Sequence, residues 1–132
     1  MMDPRKTVIV TNNPYVYEKY KDKRDVNYLE GGKYLDVLES IRPLLHKGHK
    51  LLTHPLSSSL KPNETPYKSI MISKEEGEEV DSQGLLLLED AITYTNKFLT
   101  DRKTTDWPEN ILDDFRAIDL SMMENTIDIL GH

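Results

Sequence analysis

The sequence predicts one α/β domain, a small and mainly parallel sheet of about four strands flanked by helices, in the order β-α-β-α-β-β-α-α. Three observations carry this reading. A run of β-branched residues feeds directly into a capped helix start. Short apolar runs then alternate with apolar stripes at helical spacing. Finally, two apolar runs are joined by a long polar segment with no helical period. Alternation of this kind favours parallel strands with helices on both faces.

The first strand is Lys6 to Thr11, around Val8-Ile9-Val10. Apolarity without alternation predicts burial on both faces. It ends at Asn12-Asn13-Pro14, where asparagine caps free N–H groups and proline suits the first helical turn, so a helix is expected from Pro14 to about Lys23. Val26 to Leu29 is a weak second strand, closed by Glu30-Gly31-Gly32. From about Lys33, Leu35, Leu38, Ile41 and Leu45 form one stripe, with Pro43 inside it and a stop at His46-Lys47-Gly48. Lys50 to Thr53 reads as a third strand and Lys68 to Ser73 as a fourth, whose direction the sequence leaves open. Between them lies His54 to Tyr67, with three prolines. After a Glu-rich connector, Asp81 or Ser82 caps a helix carrying Leu85, Leu88, Ile92 and Leu99. Trp107-Pro108 opens the last helix, where Trp107 is expected to staple against Ile111 or Leu112. One domain thus covers residues 1–132, and 121–132 either extends the last helix or frays.

Composition limits the functions. The apolar share of 37% promises one modest core. A net charge of −6, with the basic run Lys19 to Arg24 broken by Tyr20 and Asp22, argues against nucleic acid as partner. The absence of cysteine removes disulfides, thiolate nucleophiles, Cys-based zinc sites and iron–sulfur clusters. No signal-like apolar region opens the chain and no apolar run could span a bilayer, so cytoplasmic residence without membrane contact is expected. Nothing calls for a cofactor.

In open α/β sheets ligands collect beyond the carboxyl ends of the strands. Those ends carry Thr11, Asn12 and Asn13, then Gly31-Gly32, then Thr53-His54, and the segment 54–67 leaves from the same edge. Structureless segments of this length are usually functional or disordered. Ser57, Ser58, Ser59, Lys61, Asn63 and Thr65 supply hydroxyls, an amide and a cation, which together with the helix start at Pro14 suit a small anion. The alternative is that the asparagines and serines are simply caps and turn formers. No dinucleotide fingerprint or phosphate-binding Gly-rich loop is present. His49 and His54 bracket a strand and stand on the order of 16 Å apart at ~3.3 Å per residue, so a shared metal is not expected. His54, beside the polar loop, is the candidate catalytic acid/base.

The run Gly48-His49-Lys50-Leu51-Leu52-Thr53-His54-Pro55-Leu56, continued by Lys61-Pro62-Asn63-Glu64-Thr65-Pro66-Tyr67-Lys68-Ser69, resembles the signature of the GrdX family. Ile9 to Pro14 and Trp107-Pro108 also resemble it. The resemblance implies a place beside the glycine reductase system of amino-acid-fermenting anaerobic bacteria, which reduces glycine through selenoproteins and thioredoxin to acetyl phosphate and ammonia. It implies no activity and no functional residues. Without cysteine, the chain cannot relay electrons through a dithiol. The leading expectation is an accessory protein that binds a small anionic metabolite or a reductase component through 54–67. A hydrolase or transferase using His54 on an acyl or phosphorylated metabolite is the alternative. A third is a docking partner without ligand, presenting Tyr15, Tyr17 and Tyr20.

Overall fold

The β-branched run Thr7–Thr11 (β1) is the middle of the sheet, as its lack of alternation predicts: Ile9 and Val10 are wholly buried, one toward each face. A computed structural model describes residues 6–56, 60–62, 64–101 and 106–130. β1 pairs in parallel with Asp25–Tyr28 (β2) and antiparallel with Ser69–Ser73 (β3), giving the order β2-β1-β3. The helices are Pro14–Tyr20 (α1), Tyr34–His46 (α2), Ser82–Asp101 (α3) and Glu109–Ile129 (α4).

Strand alternation sorts the core into two layers. Ile9 and Met71 pack with Val16 and Tyr20 of α1 and with Met123 and Ile127 of α4. Val10, Ile70 and Ile72 pack on the opposite face with Val37, Leu38, Ile41 and Leu45 of α2 and with Leu88, Ala91 and Ile92 of α3. Each such buried aliphatic contributes about 1.5–3 kcal/mol over its exposed state. The stop at Gly48 has a steric reason. Its φ of +111° favours glycine, and a Cβ there would stand 2.3 Å from the Gly77 carbonyl oxygen.

The expectation of a mainly parallel sheet of about four strands, with the order β-α-β-α-β-β-α-α, is corrected. The sheet is mixed, has three strands among the described residues, and the order is β-α-β-α-β-α-α. Lys50 to Thr53 touches β3 through a single antiparallel bridge, Leu51 to Ile72, closed by the Leu52 N–H to the Met71 carbonyl and the Ser73 N–H to that of Lys50. The ladder stops there because side chains take the neighbouring backbone groups. The Lys50 N–H donates to Ser73 Oγ and the Met71 N–H to Thr53 Oγ1, while the Leu51 N–H, which points away from β3, donates to the Asp81 carboxylate. Asp81 also accepts from the Gly84 N–H, so one carboxylate caps α3 and ties its start to Leu51.

At the other helix starts, Asn13 caps α1 by accepting from the Tyr15 N–H, and Pro43 is accommodated within α2. Trp107 meets the ring of Phe115, edge to face at 5.3 Å. α4 runs on through Ile129, its last turns held by the buried Met123 and Ile127.

Candidate functional site

The carboxyl ends of β1 and β2 and the amino end of β3 share one edge, because Thr11 pairs with Ser69. Thr53 reaches the same edge through its bond to Met71, so the segment 54–67 leaves from it and returns to it. Asn12 ties the edge together. Its side-chain amide donates to the carbonyls of Gly32 and Pro66, and its Oδ1 accepts from the Lys68 N–H. Asn13 binds α4 to it, donating to the Arg116 carbonyl and to Asp119 while capping α1. Thr11 Oγ1 accepts from the Asn13 N–H and lies 2.7 Å from Ser69 Oγ. Ser69 Oγ donates to Asp119 at 2.6 Å. The side-chain amides of both asparagines are therefore fully engaged within the chain, and the free N–H groups of α1 are partly met by Asn13.

Two charged side chains that sequence reasoning missed stand at this edge. Lys68 is 3% exposed. Its ammonium lies 5.5 Å from the centre of the Tyr34 ring, and the described residues offer it no hydrogen-bond acceptor. Burial brings its pKa down to about 8, against the opposing field of Asp119. Asp119, on α4, turns its carboxyl inward although the residue as a whole is only half-buried. Burial pushes that carboxyl above its ordinary range, against the donors Ser69 and Asn13 and the charge of Lys68. Lys68, Ser69, Asp119, Thr53, Met122, Met123 and Thr126 line a cavity of about 10 Å³, room for one water. Beside it, the Arg116 guanidinium stacks on Tyr15 and Tyr67 and donates to the Tyr67 hydroxyl, clamping α4 to α1 and to the end of the polar segment.

Of the residues expected at the site, Thr11, Asn12 and Asn13 come together at the edge, and Thr65 is buried beside it, its hydroxyl accepting from the Tyr67 N–H. Lys61 is exposed and sits over the Phe98 ring, away from the cavity lining. Ser57, Ser58, Ser59 and Asn63 lie outside the described residues. His54 is exposed, and its Nδ1 accepts from the Leu56 N–H, a local turn bond. His49 bonds the Ser73 carbonyl on the far end of β3. No cluster of metal-ligating side chains occurs among the described residues. The tyrosines of α1 are engaged within the chain: Tyr20 is core, Tyr17 stacks on Tyr28 at 4.4 Å, and Tyr15 bonds Asp113.

A signal for the missed pair exists in the sequence. Leu112, Arg116, Asp119, Met123 and Ile127 follow one another at helical spacing, so Arg116 and Asp119 interrupt an otherwise apolar stripe. Lys68 likewise stands directly before the buried strand Ser69–Ser73.

Among the described residues, no helix is long and apolar enough to cross a membrane. The family model for GrdX-like proteins matches residues 8–128, nearly the whole chain. No curated protein and no solved structure matches it. The chain belongs to the GrdX-like family.

Proposed function

Taking that membership as the premise, we propose that the chain is an accessory binding protein of glycine reductase metabolism that holds a small anionic metabolite at the Lys68 edge, where the segment 54–67 begins and ends. The observation that carries the reading is Lys68, 3% exposed as a residue, whose ammonium keeps a remnant of solvent contact and has no hydrogen-bond acceptor among the described residues. A buried cation is ordinarily paired, because isolating it from water costs several kcal/mol. An incoming carboxylate or phosphate supplies the missing acceptor. The tie to glycine reductase comes from the family resemblance, and the lack of cysteine favours binding over dithiol electron transfer.

Thermal shift with phosphate, acetyl phosphate, acetate and glycine tests it. At least one anion should raise the melting temperature. A ligand at a hundred times its Kd stabilises by about 2.7 kcal/mol. Lys68→Met should remove the shift while Lys61→Ala keeps it. If no anion shifts the wild type, or if Lys68→Met responds like the wild type, the reading fails.

A further inference from the structure

We infer that the groove between the end of α1 and the last turns of α4 binds a zwitterionic amino acid with an aliphatic side chain. The inference goes beyond the anion reading above, since the groove shares no lining residue with the Lys68 cavity.

The groove holds about 350 Å³, the size of a small-molecule site and far more than one water needs. Opposite charges face each other across it. Lys19, Lys23 and Arg24 stand at the end of α1 and in the turn that follows, and Glu124 and Asp128 stand on α4. Tyr20 and Ile127, both core residues, form the floor. The Tyr20 hydroxyl lies in the field of Lys19, Glu124, Arg24 and Asp128 together, so the four charges gather around one point. Burial raises the pKa of that hydroxyl, which stays a neutral donor.

Several of these groups are not spent inside the fold. Lys19 pairs with Glu124, and Arg24 gives one guanidinium N–H to Thr7. The other guanidinium nitrogens, the Lys23 ammonium and the Tyr20 hydroxyl have no hydrogen-bond partner among the described residues. Three donors thus open on one side of the groove, a set that suits a carboxylate. Asp128 lies in the last turn of α4, at the negative end of the helix dipole, and no basic residue stands in that turn. This end favours an ammonium. A simple anion would meet Glu124 and Asp128, and a simple cation would meet Lys23 and Arg24. A ligand with both charges matches both walls. The Tyr20 ring and Ile127 then give its side chain an apolar surface.

Calorimetric titration of the full chain with L-leucine and its two singly charged analogues tests the inference. At neutral pH, 4-methylpentanoate keeps the carboxylate and lacks the ammonium, and 3-methylbutylamine does the reverse. Leucine should bind at least about tenfold more tightly than either, as the loss of one charge-assisted hydrogen bond requires. Lys23→Met, on an exposed side chain, should weaken leucine about threefold and leave the amine unchanged. Asp128→Asn should weaken leucine and the amine and leave the acid unchanged. Absence of leucine binding overturns the inference. So does an acid or an amine that binds as tightly as leucine, or a Lys23→Met chain that binds leucine like the wild type.

Discussion

The turn at Asn12-Asn13 and the lysine at position 68 occupy the same edge of the sheet and treat polar groups in opposite ways. The two asparagines are buried and use their amide groups on α1, α4, the loop before α2 and the residues leading into β3. Lys68 is as deeply buried and its ammonium has only the Tyr34 face and the field of Asp119. Burial of a polar group is nearly neutral when its partners are present and costly when they are not. The first region therefore behaves as structure. The second carries an energetic cost that the fold does not return, which is the mark of a functional group.

Substitutions sharpen this contrast, beginning with the largest. Asn13→Ala removes a helix cap and two donors to α4, and urea denaturation should show a loss of about 3 kcal/mol. A loss below about 1 kcal/mol would mean that the turn is not the tie described. Lys68→Met exchanges a desolvated charge for an apolar chain of similar length, and at neutral pH should gain about 1–2 kcal/mol. Ser69→Ala takes a donor from Asp119 and should cost about 1 kcal/mol at neutral pH. The Asp119 carboxyl sits above its unfolded value, so the folded state holds its proton more firmly, and its contribution to stability fades as pH rises through the folded pKa. The Ser69 bond favours the charged form. The cost of Ser69→Ala should therefore shrink as pH falls and Asp119 takes up its proton. A cost that does not depend on pH would assign Ser69 to packing alone. Lys61→Ala, on an exposed side chain over Phe98, should change stability by less than about 0.5 kcal/mol and leave any anion response intact.

Much of the fold was legible because local chemistry decided it. Val8-Ile9-Val10 and the Asn13-Pro14 start depend on neighbours in sequence, and each stands where the pattern puts it. The third strand was misread because its ladder is cut short by the Ser73 and Thr53 hydroxyls, which take the Lys50 and Met71 N–H groups across separations of up to 23 residues. The site was half legible. The converging edge follows from strand order, which is what brings Thr11, Asn12 and Asn13 together. Which cation is buried depends on how the chain re-enters the sheet. Lys61 and Lys68 are equivalent by composition, and only the pairing of Ser69 with Thr11 takes Lys68 inside.

The central claim is that the fold keeps the Lys68 ammonium buried at a cost to stability. Unfolding free energies of the wild type and Lys68→Met, measured from neutral pH to about pH 10.4 where a free lysine titrates, test it most directly. With its pKa lowered to about 8, the folded wild type binds fewer protons than the unfolded chain above that pH, so its stability relative to the variant should rise between about 8 and 10.4. The account predicts a variant that is more stable near neutrality and whose advantage closes through that window. A variant less stable at neutral pH, with a gap that does not change with pH, would contradict it.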